Sequence, residues 1–217
     1  MNLENLLDKL TYQGLLLGGT ALVTSAALAL ASKATAPDIA AAAAADLKQS
    51  LTQVLPGQYD NDLLKDTLEL PGPDGETVKV YRARHGAQVD AVVFQVTGKG
   101  YAGAILCIMS VDRDGRIMGV RVLKHAETPG LGDKIEPAKD NWIHSFEHKF
   151  LGDPPLEKWG VKKDGGVFDQ FAGATITPRG VVKAVKGGLE FFEKEKSVLL
   201  DAGAPKLAAA QDKGTRP

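Results

Sequence analysis

Hydrophobic positions follow three different patterns along this chain. From residue 12 to 31 they form a run of twenty residues without a charge, rich in Leu, Ala and Val. As a helix rising about 1.5 Å per residue, such a run spans roughly 30 Å, enough for a bilayer core. Gly14, Gly18 and Gly19 within it would allow close helix packing. Residues 38–55 are Ala-rich, with Leu47, Leu51 and Leu55 at a spacing of four, which predicts a helical stalk stopped at Pro56. After the turn cluster Pro71-Gly72-Pro73-Asp74-Gly75 the apolar runs shorten and become β-branched, predicting strands at 78–83, 91–96, 104–111 and 117–123. Asp112-Arg113-Asp114-Gly115 reads as a hairpin turn, and short turns between successive strands imply an antiparallel sheet. Helical spacing returns at 140–150, through Trp142, Phe146 and Phe150. It returns again at 178–200, through Val181, Val185, Leu189 and Phe192, with Gly187-Gly188 weakening the middle.

The fold class expected is α+β: one N-terminal transmembrane helix, then one domain with an antiparallel sheet and packed helices. The organisation expected is a short segment at 1–11, an anchor at 12–31, a stalk at 32–56, a domain at 57–201 and a flexible tail at 202–217. Ala34-Thr35-Ala36 has the form of a signal-peptide cleavage site. However, the apolar run exceeds the usual ~7–15 residues and its leading flank is not basic, so an uncleaved anchor is preferred. Lys9 and Lys33 flank the run evenly, so the positive-inside rule does not orient it.

Charge and composition then narrow the chemistry. Lys and Arg total 26 against 27 Asp and Glu, which argues against nucleic acid as the main partner. The lone Cys107 sits in the apolar run 104–109, reads as core and cannot form an internal disulfide. The four His lack zinc-type spacing, so no metal site is expected; His144 and His148 read as a solvated helix face. Neither a Walker loop nor a complete GxGxxG fingerprint is present.

Four segments carry candidate chemistry. In Phe168-Asp169-Gln170-Phe171-Ala172-Gly173-Ala174-Thr175-Ile176-Thr177-Pro178, Thr177-Pro178 reads as an N-cap and first helical residue. That leaves the Thr175 hydroxyl without an evident structural role, beside Gly173 and Ala174, which let another molecule approach. In the loop 125–134, Pro129-Gly130 suits a type II turn. From composition alone that turn is the preferred reading; the functional alternative is a cradle for a flat heterocycle, with Gly130 and Gly132 exposing N–H groups, Glu127 and Thr128 offering polar contacts, and Leu131 forming an apolar lid. Lys162 and Lys163 could balance a phosphate or simply form a solvated turn. Tyr101, flanked by Gly100 and Gly103, could stack on a ring or sit in the core.

Asp169 followed by the small-Gly-Ala-Thr run resembles the flavin-attachment motif of the FMN-binding domain family. There, FMN is joined through its phosphate to the last Thr of an Asp-x-x-Ser/Thr-Gly-Ala-Thr pattern. Ala172 stands where that family has Ser or Thr. The segments around Tyr101, Glu127–Gly132, Val161–Gln170 and Gly173–Arg179, taken in order, resemble the G subunit of Rnf electron-transport complexes. The C subunit of the sodium-pumping NADH:quinone reductase is a relative sharing two of the loops.

The resemblance implies covalent FMN on Thr175, flanked by Gly173 and Ala174. Tyr101, Thr128, Leu131 and Lys163 (or Lys162) would line the flavin, with Glu127 and Gly132 shaping the loop. Asp169 would serve recognition by a flavin transferase that uses FAD and Mg²⁺. It further implies a redox subunit of a complex that moves electrons between ferredoxin and NAD with Na⁺ or H⁺ translocation. The chain would be single-pass in the bacterial inner membrane, its domain on the periplasmic side, with other Rnf subunits as partners. Two rival expectations are a membrane-tethered FMN sensor and an unflavinylated structural subunit.

Overall fold

A computed structural model describes residues 10–73 and 75–203. The expected segment at 1–11 and tail at 202–217 therefore lie largely outside the described residues, as does Asp74 of the turn cluster. The anchor and stalk segments lie on one continuous helix, α1 (Leu10–Val54, 45 residues), which passes through Pro37. From Tyr12 it is long and apolar enough to cross a membrane, and Leu15, Leu17, Leu22, Val23 and Leu28 are exposed along it. The chain divides into two compact units, one up to Leu47 and one from Lys48 onward.

The second unit is built on a five-stranded antiparallel meander in the order β1 to β5. Its strands are β1 (Thr67–Pro71), β2 (Thr77–His85), β3 (Gln88–Lys99), β4 (Ala104–Asp112) and β5 (Ile117–Lys124). Four were expected from the pattern. The fifth, β1, is five residues ending in Pro71, too short to show an alternating pattern. Pro71, expected in a turn, is paired with Thr77 at the strand's end, an edge position where a missing N–H costs nothing. The Asp112–Gly115 hairpin forms as expected: Asp112 N–H donates to Arg116 O and Gly115 takes φ 89°.

Because side chains alternate across a strand, register assigns each row of the sheet to a face. Val93, Ser110 and Gly119 are aligned across β3, β4 and β5. This row meets the end of α1, where the Ser110 hydroxyl donates to the Val54 carbonyl oxygen and a Cβ on Gly119 would lie 3.0 Å from Val54 Cα. Phe94, Met109 and Val120 form the next row, on the opposite face. That face is covered by α2 (Ile176–Leu199), whose Val181, Val182, Val185, Leu189 and Phe192 are buried. Cys107 is in this core, as expected, and burial pushes its thiol up to about 12.

Glycines set how close α2 comes. A Cβ on Gly180 would collide with Lys99 O, and one on Gly188 would collide with Met109 Sδ. Gly188 was expected to weaken the helix; it is instead a point of direct helix–sheet contact, and packing outweighs its propensity cost of about 1 kcal/mol.

The helix expected at 140–150 is replaced by a 3-10 helix, Asn141–Phe146. Asp140 caps it, its carboxylate accepting from Trp142 N–H, and Glu147 leaves the helical region at ψ 138°. His148 follows at φ 65°, so it and His144 do not share a helix face; His144 pairs with Glu147 at 2.7 Å. The aromatic spacing instead serves a cluster: Trp142 meets Phe146 and Phe171 edge-on, and Phe146 stacks on Phe168 at 4.6 Å.

A buried ion cluster ties the far end of α2 to β2. Asp66 receives Arg82 Nη2 at 2.6 Å and Arg84 Nε at 2.5 Å, while Arg82 Nη1 donates to Asp201 O at 3.2 Å. Burial alone would raise the Asp66 carboxyl, but hydrogen bonds and charge from Arg84 and Arg82 outweigh it and hold the group below its ordinary value. A depressed carboxyl contributes stability above its unfolded value, about 3.9, and that contribution is lost as pH falls through the lower folded value. Asp66→Asn should therefore cost about 3–5 kcal/mol near neutral pH, because two arginines lose their buried counter-charge. Chemical denaturation of the detergent-solubilised protein checks this. The variant should also lose less of its remaining stability than wild type between about pH 5 and 2.

Candidate functional site

Three loops converge at one end of the sheet. The β3–β4 hairpin turns through Gly100-Tyr101-Ala102-Gly103, closed by Gly100 N–H to Gly103 O at 2.8 Å. Leu106 on β4 is paired with Lys124 at the end of β5, so the loop after β5 begins beside that hairpin. The first turn of α2 arrives there too, since Gly180 rests on Lys99.

The Glu127 side chain joins all three. It is buried, with Oε1 accepting from Ala102 N–H at 3.0 Å and Oε2 accepting from the Thr177 hydroxyl. A Cβ at Gly100 would collide with Glu127 Oε1, and one at Gly132 would lie 2.8 Å from Glu127 Cβ and 2.9 Å from Thr177 Oγ1. The two glycines thus leave room for the carboxylate. Behind it, Leu131 and Gly132 N–H groups both donate to Thr128 O at 3.1 Å, with Gly130 at φ 78°, the backbone expected at the third position of a type II turn.

The start of α2 differs from expectation. The helix begins at Ile176, so Thr175 is the N-cap residue, and its side chain makes no capping hydrogen bond. Thr177 is inside the first turn, fully buried, its hydroxyl committed to Glu127 rather than to capping. Pro178 is also in the first turn, where a missing N–H removes no helical bond. The Thr175 hydroxyl therefore stands half-exposed at the positive end of a 24-residue helix. Before it, Gly173 takes φ 80° and Ala174 N–H closes onto Phe171 O at 3.2 Å. A Cβ on Gly173 would lie 3.5 Å from Leu131 Cδ2, which places the loop after β5 beside the Thr175 turn.

Large apolar side chains at this end are left uncovered: Tyr101 is 74% exposed, Leu131 43% and Ile176 45%. Tyr101 is thus a surface residue and not a core one. Thr128 and Ala172 are exposed as well. Lys162 is paired with Asp169 at 2.6 Å, whereas Lys163 anchors its loop through its backbone, its N–H donating to Gln170 Oε1 at 3.1 Å. The same loop is fastened to α2 by Arg179, whose Nε and Nη2 each reach an oxygen of Asp164 at 2.6 Å. That bidentate bond holds the Asp164 carboxyl below its ordinary value. Asp169 is held from inside, its carbonyl oxygen accepting from Trp142 Nε1 at 2.8 Å.

Sequence reasoning gave Arg179 and Trp142 no role here and gave Thr177 the wrong one. The loop 126–132 did carry a usable clue: Glu127 is its only carboxylate, among small and apolar neighbours. Among the described residues no cluster of His, Cys, Asp and Glu suits a metal ion.

The residues present fit a phosphate-bearing flat ring system. An uncommitted hydroxyl and a helix N-terminus suit the phosphate, and exposed apolar faces beside a rigid loop suit the ring. A model of the FMN-binding domain matches residues 100–190, a span that holds all three loops. The chain is 53% identical over 188 residues to the G subunit of the ion-translocating oxidoreductase complex of Cereibacter sphaeroides, covering 86% of each chain. It is 45% identical over 205 residues to the same subunit from Pseudomonas aeruginosa, covering 91% of this chain and 94% of that one. The crystal structure of Shewanella oneidensis NqrC aligns at a TM-score of 0.46 with 26% identity, over 64% of this chain and 74% of that chain.

Removing the shared carboxylate should loosen all three loops together. Glu127→Ala should cost about 1–3 kcal/mol for the stranded Thr177 hydroxyl. Hydrogen exchange should rise at 100–103, at 127–133 and in the first turn of α2. Gly132→Ala, which pushes a methyl against the same carboxylate, should raise exchange in the same three places. Exchange confined to the mutated loop would contradict the shared-carboxylate account.

Proposed function

We infer function from this premise: the chain belongs to the family of G subunits of ion-translocating oxidoreductase complexes, and is a redox subunit of such a complex. We propose that it is a membrane-anchored electron carrier, with FMN held through a phosphoester to Thr175. One observation carries the attachment point: the Thr175 hydroxyl caps nothing, although it stands at the N-terminus of a long helix.

In attachment, Thr175 Oγ1 gives up its proton and forms the phosphorus–oxygen bond as AMP leaves FAD, a step we assign to a flavin transferase using Mg²⁺. Asp169 serves as a recognition point for that enzyme. The Ile176 and Thr177 N–H groups, in the first turn and without helical acceptors, would be the donors to the phosphate. Gly173 and Ala174 keep side chains out of its way. Lys163 supplies positive charge, since Lys162 is engaged by Asp169.

Tyr101 and Leu131 would flank the ring and Thr128 would meet its polar edge, with Glu127 and Gly132 fixing the loop that does so. FMN would supply the redox chemistry, and the protein its attachment, orientation and electrostatics. Residues 12–31 anchor the domain (57–201) through the stalk at 32–56, keeping the carrier within reach of neighbouring subunits and raising their effective concentration. The run 12–31 has no charged residue, so we place the ion path in other subunits. We assign the complex electron transfer between ferredoxin and NAD with Na⁺ or H⁺ translocation, and the domain to the periplasmic side of the inner membrane.

Co-expression with a flavin transferase tests this. The wild-type band on a denaturing gel should fluoresce, and intact mass should rise by one FMN. Thr175→Val should be dark and unmodified. Thr177→Val should remain fluorescent while losing about 1–3 kcal/mol of stability, since Glu127 then loses one of its two donors. A dark wild-type band, with a control flavoprotein labelled in the same cells, would favour an unflavinylated structural subunit.

A further inference from the structure

We propose that His125 is a proton-sensitive positioning residue for the loop that holds the cofactor. Its two ring nitrogens are committed in opposite directions. Nδ1 lies 3.1 Å from the Glu127 backbone N–H, and Nε2 lies 2.7 Å from Glu136 Oε1. A backbone N–H can only donate, so Nδ1 accepts and carries no proton. The ring proton is then on Nε2, donated to Glu136. Only this one neutral tautomer satisfies both contacts.

Protonation changes the arrangement at a single point. The imidazolium donates from both nitrogens, so it keeps Glu136 and confronts the Glu127 N–H with another donor. The peptide that breaks its contact belongs to the residue whose carboxylate joins the hairpin at Ala102, the loop through Gly132 and α2 at Thr177. A proton on His125 is thereby converted into displacement of the backbone that enters the cofactor loop.

The site is open to solvent on the required side. A pocket lined by Val122, Lys124, His125, Glu136, Pro137 and Ala138 reaches the His125–Glu136 pair, which is partly exposed through Glu136. Two charged residues line that pocket with His125: Glu136, whose Oε1 meets Nε2, and Lys124. The Glu127 carboxylate is turned away, onto Ala102 and Thr177.

The hydrogen-bond switch does not depend on a cofactor. Its effect on flavin rests on the function proposed above, which makes this loop the flavin's wall. The test therefore reads both. Full-length protein, ¹⁵N-labelled at glutamate and held in detergent micelles, is titrated between about pH 5 and 8, the range in which histidine changes charge. The Glu127 amide resonance is followed in flavin-loaded protein and in the Thr175→Val variant, with visible circular dichroism recorded on the loaded form.

Wild type should show one step in the Glu127 amide in both forms, and a matching step in the flavin dichroism. In His125→Asn, whose side-chain oxygen replaces Nδ1 as an acceptor without titrating, the step should vanish. In Glu136→Gln, whose side-chain oxygen still accepts from Nε2, the step should persist. A wild-type amide that does not titrate, or a step that survives in His125→Asn, would overturn the proposal. Absence of flavin absorbance would count against the cofactor reading alone, since the amide titration is read without it.

Discussion

The Glu127 carboxylate is the contact on which the arrangement of the site depends. A buried carboxylate is tolerated only where hydrogen bonds replace its hydration. Here the replacements come from two separate parts of the chain, the Ala102 N–H at a hairpin tip and the Thr177 hydroxyl in the first turn of α2. The cost of burying the carboxylate is what couples the loops, because neither donor can move away without leaving one of its oxygens unpaired. Gly100 and Gly132 are required by the same contact, for any side chain there would occupy the space of the carboxylate.

The rest of the domain brings those donors within reach. An antiparallel meander puts the β3–β4 hairpin and the end of β5 at the same end of the sheet. Glycine contacts lower α2 onto β3 and β4, so its N-terminus reaches that end. The aromatic cluster of Trp142, Phe146, Phe168 and Phe171 holds the strandless segment leading to Thr175. At the other end, Asp66 with Arg82 and Arg84 fastens the C-terminal side of α2 through Asp201. The helix is thus fixed at both ends, and the hydroxyl at its start has a defined position.

Much of this was legible from the sequence wherever local pattern and tertiary environment agree. Four strands follow from β-branched runs between turn residues, and α2 from the spacing of Val181, Val185, Leu189 and Phe192. The Pro129-Gly130 turn follows from the chemistry of its two residues. What stayed hidden is set by partners distant in sequence. Strand β1 exists because β2 pairs with it. Trp142 and Phe146 have helical spacing, yet they serve an aromatic cluster and a single 3-10 stretch. Thr177 has the composition of an N-cap, but an acceptor fifty residues away claims its hydroxyl. That reassignment moved the N-cap position to Thr175, whose side chain makes no capping bond.

The central claim is that this hydroxyl, and not its neighbour two residues on, carries the cofactor. Trypsin releases residues 164–179 as one peptide containing both threonines, between the cleavage points after Lys163 and Arg179. Tandem mass spectrometry of that peptide, from protein matured with a flavin transferase, tests the claim most directly. The account predicts fragment ions that place one FMN on Thr175 and leave Thr177 unmodified. An unmodified peptide, or FMN on Thr177, would contradict it.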